Sequence, residues 1–352
     1  MKSILLAGTA VTRPGAVGAL YRCADGGPWQ TARGIPVDTG VQAISSHPAT
    51  SGVVFAAARS GVYKSTNAGE SWEKLPVPSQ NEQFWSVTVH PRQPDVVFAG
   101  AAPVGVYRSD DCGTSWRRVG SKERMPELCD MTNSTIPDSR LMRISFDPTN
   151  PQLGFGACET NGFIVSEDGG ESWYDASQAL IDSSEKDEKL KSKIITQSTF
   201  EGILDGHAVC VSSKKPGLLF YACRMGVFST ADKGKTWRNH DVGRFAPFSY
   251  SRDLRIAIDD PSTFYLALSI SARSAAGALY RSGDLGETWE RVDEAVTARS
   301  TIMSMNLHAT DPGKVIYLTR GGQVIWTEDR CASWHESQLP ADAGDAFCAA
   351  IL

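Results

Sequence analysis

Short runs of alternating apolar and polar residues recur along the whole chain, separated by turn-forming segments. Residues 86–90 alternate as a half-buried strand does, and residues 96–101 and 105–109 follow as two further apolar strands. Between the first two strands, 91–95 reads Pro-Arg-Gln-Pro-Asp, which predicts a turn. With 116–119 as the fourth strand, this stretch is predicted to be a four-stranded antiparallel meander.

An eight-residue motif that ends in tryptophan marks the same point of each meander. Residues 109–116 read Ser-Asp-Asp-Cys-Gly-Thr-Ser-Trp, a pattern of the form S/T-x-D-x-G-x-S/T-W. Two copies carry one substitution each, Asn67 and Cys331. The further copies lie at 65–72, 166–173, 230–237, 282–289 and 327–334, with a copy one residue short at 23–29. Seven copies of a four-stranded unit predict an all-β, seven-bladed β-propeller.

The spacing of the motif also predicts how the ring closes. The 18 residues after Trp334 and the 29 residues up to Trp29 together make one further repeat length. We therefore expect 345–352 to be the inner strand of a split blade whose next strands are 3–8 and 19–22. The prediction is a single domain over 1–352 without an exposed edge strand. Surface insertions are predicted near 121–139, 176–200 and 270–277, the second as a solvated helix or a lid.

The repeated motif is the Asp box, or BNR repeat, and the chain resembles the sialidase-like propellers along its whole length. That group includes sialidases, xyloglucanases, sortilin-type receptor domains and photosystem assembly factors. In the box, Asp and Ser/Thr side chains can bond backbone N–H groups, Gly can adopt positive φ, and Trp can pack between blades. These roles are structural, and enzymes and non-enzymes share the motif, so it predicts a fold and no activity.

The charge, the apolar runs and the cysteines of the chain indicate which classes of protein it does not resemble. The chain has 352 residues and a net charge of −5, which does not favour nucleic-acid binding. No apolar run approaches the ~20 residues that a membrane-spanning helix needs. The apolar N-terminus is short enough to be a strand rather than a signal peptide, so we expect a cytoplasmic protein. The eight cysteines include no C-x-x-C pair, and free thiols are expected.

Alternate turns of a meander lie at the same end, which sorts the candidate residues into two faces. The Asp boxes and the Pro-containing turns share one end, here called the box face. The loops between second and third strands and the connections between blades share the other, the loop face, where ligands usually bind in the propellers that the chain resembles.

His47, His90 and His308 fall on the box face, whereas His240 and His335 follow box tryptophans on outer strands and are expected to be exposed. His207 alone remains on the loop face. Spacing shows no metal-ligand set, and no cofactor is implied.

The loop face is predicted to be rich in arginine. Guanidinium groups around one funnel would bind a carboxylate, sulfate or phosphate, or would pair with nearby acids and tie the loops together. Both alternatives stay open from sequence. The substrate-binding candidates are Arg59, Arg143, Arg224, Arg252, Arg273, Arg320 and the apolar ring of Trp85.

The first functional hypothesis is a hydrolase or lyase that acts on a small anionic or carbohydrate-derived substrate. The catalytic candidates are His207, Glu159, Asp205 and Tyr250: the two carboxylates as a glycosidase pair, or His207 or Tyr250 as the base of a lyase. The Arg-Ile-Pro segment of sialidases is interrupted here at 33–36, and sialidases have six blades, so sialidase activity is not expected. The alternative is a non-catalytic scaffold that binds an acidic partner or ligand.

Overall fold

The computed structural model describes residues 3–79, 81–120, 139–194 and 197–352. The described residues form seven four-stranded sheets, each a meander of sequential antiparallel strands, with the one exception of the sheet that joins the termini. The prediction of a seven-bladed β-propeller is confirmed. In each blade the first strand lies innermost and the fourth outermost, and the innermost strands of neighbouring blades contact one another around the ring.

The blades are numbered from the N-terminus. Blade 1 contains β28 (Asp345–Ile351), β1 (Ile4–Ala10), β2 (Leu20–Ala24) and β3 (Gln30–Thr31). Blade 2 contains β4 (Val41–Ser46), β5 (Val54–Ala58), β6 (Gly61–Ser65) and β7 (Glu73–Lys74). Blade 3 contains β8 (Gln83–Val89), β9 (Val97–Ala102), β10 (Gly105–Ser109) and β11 (Arg117–Val119). Blade 4 contains β12 (Arg140–Phe146), β13 (Gly154–Glu159), β14 (Gly162–Ser166) and β15 (Tyr174–Asp175).

The remaining three blades repeat the pattern. Blade 5 contains β16 (Gly206–Val211), β17 (Leu219–Cys223), β18 (Gly226–Thr230) and β19 (Arg238–Asn239). Blade 6 contains β20 (Tyr250–Ile256), β21 (Phe264–Ser269), β22 (Gly277–Ser282) and β23 (Glu290–Arg291). Blade 7 contains β24 (Ile302–Leu307), β25 (Val315–Thr319), β26 (Gln323–Thr327) and β27 (His335–Gln338).

The two ends of the chain close the ring in one sheet, as the motif spacing predicted. β28 pairs antiparallel with β1, with Ala350 opposite Leu6 and Cys348 opposite Gly8. β1 in turn pairs with β2, so the C-terminal strand is the innermost strand of blade 1. This pairing joins the first and the last described strands of the chain within one sheet.

Each of the six full-length Asp boxes is held by its own side chains. In the box of blade 3, Asp111 Oδ1 accepts hydrogen bonds from the Ser109 hydroxyl at 2.8 Å and from the Ser115 N–H at 2.8 Å. The Ser109 hydroxyl oxygen accepts from the Gly113 N–H, and Trp116 Nε1–H donates to the Gly113 carbonyl at 3.0 Å. Gly113 has a φ of +96°, the left-handed region that an L side chain rarely adopts. The box therefore builds its turn from contacts within eight residues.

The insertion of blade 4 contains two short helices that connect it to blade 5. They are α1 (Gln178–Lys186) and α2 (Glu201–Leu204), with a 3₁₀ helix at Glu188–Leu190 between them. Another 3₁₀ helix, Val242–Arg244, lies in the connection between blades 5 and 6. α1 is not fully solvated, because Leu180 and Ile181 are buried against the apolar residues of blades 4 and 5. Almost all of the insertion predicted at 121–139 lies outside the described residues, and the single-domain organisation stays a prediction. None of the helices in the described part of the chain is long and apolar enough to cross a membrane.

Acid is expected to weaken the boxes over a defined pH range. Hydrogen bonds from Ser115 and Ser333 hold the pKa of Asp111 and of Asp329 at about 2, below the ordinary value of about 3.9. A carboxylate with a lowered folded-state pKa stabilises the fold above the unfolded pKa and loses that effect as the pH falls through the folded pKa. The melting temperature is therefore expected to drop between about pH 4 and pH 2.

The Asp111→Asn variant isolates one box, and circular dichroism melts at several pH values measure the effect. Asn67 already occupies the same place in blade 2, where its side-chain oxygen accepts the Ser71 N–H at 3.0 Å. The variant therefore keeps the box geometry without an ionisable group, and its melting temperature is expected to fall less steeply in acid than that of the wild type. Parallel curves for the two proteins would contradict this assignment.

Candidate functional site

The four catalytic candidates meet at the loop face, where blades 4, 5 and 6 adjoin. Glu159 ends β13, His207 is the second residue of β16, and Tyr250 begins β20. Asp205 stands in the last turn before β16 and is buried together with His207 and Tyr250. Residues that are 91 positions apart in sequence thus come together because each lies at the same end of its blade.

His207 is held in one orientation by a backbone contact. Its Nδ1 lies 2.7 Å from the Ser251 carbonyl oxygen, so Nδ1 carries a proton and donates it to that acceptor. Nε2 lies 3.4 Å from the Tyr250 hydroxyl and 3.4 Å from Asp205 Oδ2. A neutral His207 accepts from the Tyr250 hydroxyl through Nε2, whereas a protonated His207 donates to the Asp205 carboxylate.

Three arginines neutralise the two carboxylates of this cluster. Glu159 accepts from Arg140 at 2.6 Å and lies 3.6 Å from Arg252. Asp205 accepts from Arg224 Nε at 2.9 Å. Arg224 also lies over the Tyr250 ring, 5.6 Å from its centre. These ion pairs agree with the alternative in which Arg224 and Arg252 pair with nearby acids and tie the loops together.

The charges of the cluster shift the pKa of its members in opposite directions. Burial alone would raise the pKa of Asp205, but His207, Arg224 and Arg252 outweigh it and hold that pKa well below its ordinary value. Burial raises the pKa of Tyr250, as do the charges of Asp205 and Glu159, although Arg252 opposes them. Asp205 is therefore a carboxylate, and Tyr250 a neutral phenol, at neutral pH.

The same residues form a group that sequence spacing did not reveal. One ligand atom from each of Glu159, Asp205 and His207 lies within 4.8 Å of the other two, the arrangement of a possible metal site. The surrounding charge does not favour a cation, because Arg140, Arg224 and Arg252 already pair with the carboxylates. A metal ion is therefore not expected to bind these three residues.

Trp85 forms a second part of the site beside this cluster. The guanidinium of Arg140 stacks 4.0 Å from the centre of the indole ring, and that of Arg59 lies 5.9 Å away. The Trp85 Nε1 and the Arg59 Nε are buried and have no hydrogen-bond partner among the described residues. Burial, and then the charge of Arg140, lower the pKa of Arg59. Arg59 is thus a partly buried cation for which the described chain provides no carboxylate.

The other predicted binding arginines lie apart from this cluster. Arg320 donates to Asp345 at 2.7 Å and to the Ala272 carbonyl, so it ties the 270–277 loop to blade 1. Arg273 has an exposed side chain on that same loop. Arg143 lies deeper in the channel, where its Nη2 donates to both oxygens of Asp253 at 3.0 and 3.1 Å.

The upper channel next to His207, Arg252 and Trp85 is narrow. Its cavity has a volume of about 30 Å³ between the described residues, which is room for about one water molecule. A cavity of this size does not hold a sugar ring, so a sugar-sized ligand of His207, Arg252 and Trp85 would lie on the loop face rather than inside this part of the channel.

One histidine differs from its sequence prediction. His240 was expected to be exposed, but it is buried between blades 5 and 6, where Nε2 lies 2.9 Å from the Ser229 hydroxyl. Its Nδ1 lies 3.1 Å from the carbonyl of Gly286, the glycine of the next box. His240 lies three residues after Trp237, just beyond the outer strand β19, and the sequence position does not show that its side chain points between the blades.

The comparison with family models matches one region of the chain. The model described as sortilin, neurotensin receptor 3, matches residues 277–348. That is less than half of the chain, and it covers the second half of blade 6, blade 7 and the start of the closing strand. No curated protein sequence matches the chain.

Solved structures with the same fold include enzymes and a peptide-bound propeller. The GH74 xyloglucanase from Xanthomonas campestris has a TM-score of 0.62 and 17% identity, over 94% of this chain and 50% of that chain. A GH74 enzyme from Niastella koreensis has a TM-score of 0.61 and 16% identity, over 95% and 47%. The structure titled YCF48 bound to D1 peptide has a TM-score of 0.57 and 16% identity, over 88% and 86%. This chain spans about half of the length of the GH74 chains, and identities this low show the fold alone.

Proposed function

We propose that this chain, whose fold and Asp-box (BNR) repeats resemble those of the sortilin-like β-propellers, is a binding module for an acidic peptide segment. The segment would lie on the loop face, over Trp85. The observation that carries the proposal is the excess of guanidinium groups there. Arg59, Arg140, Arg224 and Arg252 surround two carboxylates, Glu159 and Asp205.

Arg59 is the group that an acidic ligand would satisfy. It is partly buried, it lies near the like charge of Arg140 beside the Trp85 ring, and no carboxylate among the described residues pairs with it. A glutamate or aspartate side chain that reached this point would accept hydrogen bonds from the Arg59 guanidinium and lower the repulsion between the two arginines.

Binding is favoured over catalysis by the state of the catalytic candidates. A glycosidase needs one carboxyl group with a raised pKa as general acid, and the pKa of Asp205 is lowered. A tyrosine base needs a lowered pKa, and that of Tyr250 is raised. His207 is buried and its Nε2 lies against Asp205 and Tyr250.

A second candidate function is glycoside hydrolysis, and one observation favours it. Carboxylate oxygens of Glu159 and Asp205 lie within 4.8 Å of each other, close to the separation of about 5–5.5 Å found in retaining glycosidases. In this alternative the arginine cluster would bind the acidic group of the substrate.

The proposal predicts that a fluorescein-labelled hexaglutamate peptide binds the protein and that Arg59→Ala weakens binding at least about tenfold, because a charged hydrogen bond is lost. Fluorescence anisotropy at 50 mM and 300 mM salt measures the affinity, and hexalysine is the negative probe. Arg33→Ala is the matched control, because Arg33 pairs with Glu70 and its side chain is 72% exposed on the box face. Its affinity is expected to stay within about twofold of the wild type.

Two results would contradict the binding module. One is equal affinity of the wild type and Arg59→Ala for hexaglutamate. The other is hydrolysis of xyloglucan or an acidic oligosaccharide by the wild type that is abolished in Glu159→Gln, which would support the hydrolase instead.

A further inference from the structure

A second cavity opens at the other end of the channel, on the box face. It has a volume of about 310 Å³, at the lower end of the range for small-molecule sites. The C-terminal halves of the inner strands line it, and its polar side chains include Thr88, Ser145, Cys210 and Asn306. No aspartate or glutamate is among the lining residues that the structure describes.

Two arginines from different blades lie at the inner end of this cavity and share one acid. Arg143 of β12 and Arg255 of β20 both line the cavity, and both donate to Asp253. Asp253 also accepts the Met305 N–H at 3.0 Å, so backbone and guanidinium donors occupy its carboxylate. Burial, and then the charge of Arg143, lower the pKa of Arg255 to about 10. One positive charge is therefore left without a partner in the described channel.

Not every donor atom of these two guanidinium groups has a partner among the described residues. The Nε of Arg143 is buried and has no hydrogen-bond partner among the described residues. Arg255 uses its Nε and Nη2 for the Met305 carbonyl and Asp253. Guanidinium groups bind planar oxyanions with paired N–H donors, so a single carboxylate would suit both the charge and the shape of this end of the cavity.

The mouth of the cavity is apolar, in contrast with its inner end. Ile258 is 47% exposed at the rim, although large aliphatic side chains are usually buried. Ile256 and Leu307 are also partly exposed there. If the anionic group of a ligand reached Arg143, the rest of the ligand would therefore contact aliphatic side chains.

We propose that this cavity binds a short-chain monocarboxylate from the box face. The carboxylate would accept hydrogen bonds from Arg143 and Arg255, and the alkyl chain would pack against Ile256, Ile258 and Leu307. The site is separate from the loop-face site over Trp85, and it uses none of the residues on which the proposed binding of an acidic peptide rests.

Calorimetric titration of the full chain with sodium butyrate at constant ionic strength tests the site. Butyrate is expected to bind, and Arg143→Gln is expected to weaken it at least about tenfold, because the unpaired positive charge is removed while Asp253 keeps Arg255. The matched control is Arg299→Gln, which removes an exposed arginine that pairs with Glu336 on the surface. Its affinity is expected to stay within about twofold of the wild type.

A second variant and a direct readout keep the test independent of the folding of Arg143→Gln. Ile258→Asp places a negative charge at the exposed rim and is expected to weaken butyrate at least about fivefold. Crystals grown with butyrate should show its carboxylate beside Arg143 and its alkyl chain near Ile258. The proposal is overturned if chloride binds as tightly as butyrate, if neither variant weakens binding, or if butyrate lies elsewhere.

Discussion

Replacement of Asp253 by alanine is expected to lower the free energy of unfolding by about 3–5 kcal/mol, because removing one member of a buried ion pair leaves the others uncompensated. Asp253 is 1% exposed, and it is the one carboxylate paired with Arg143 and Arg255 in the described chain. It also accepts the Met305 N–H, so blades 4, 6 and 7 all contact it. Its loss would bring two guanidinium groups face to face without an anion between them.

Urea titration monitored by tryptophan fluorescence measures this effect, and Asp259→Ala is the matched control. Asp259 pairs with Arg330 at the surface, where the two side chains are 35% and 59% exposed, so its removal is expected to change stability by less than about 1 kcal/mol. In the double variant Asp253→Ala/Arg255→Met, part of the loss should be recovered, since one of the two unpaired charges is gone. Equal effects of Asp253→Ala and Asp259→Ala would refute the role assigned to Asp253.

This ion pair also shows where sequence reasoning reaches its limit. The fold was predictable because each box is a local device: the contacts of Asp111 lie within four residues of it, and the tryptophan spacing counts the blades. The pairing of Arg143 with Asp253 joins residues 110 positions apart across the channel. Such a contact depends on how far along the channel each of the two residues lies on its inner strand. The repeat pattern does not determine this position.

The candidate site was predictable to the same extent. Position at the start of an inner strand placed His207, Asp205 and Tyr250 on the loop face, and the structure brings them together with Glu159. The same rule placed Arg143 with them, although it lies midway down the channel against Asp253. Chain order determines on which face of the propeller a residue lies. Strand twist and register determine how deep its side chain lies in the channel and which residue it pairs with.

The box tryptophans differ in how deeply their rings are buried, although they belong to the same motif. Trp173 is 0% exposed, and its ring packs edge-on against Phe146 at 6.1 Å between ring centres. The ring lies so close to Gly154 that a Cβ there would come within 2.9 Å of it. It belongs to the apolar cluster between blades 3 and 4, and removal of an indole ring from a close-packed cluster leaves a cavity.

Trp173→Ala is therefore expected to lower the free energy of unfolding by about 3–5 kcal/mol, measured by urea titration with circular dichroism. Trp29→Ala is the matched control from the shortened motif. Trp29 is only partly buried, and its Nε1–H donates to the Ser337 hydroxyl at 2.9 Å, so the expected cost is about 1 kcal/mol. If both variants lost the same stability, the tryptophans would act through the motif they share rather than through the depth at which each ring is buried.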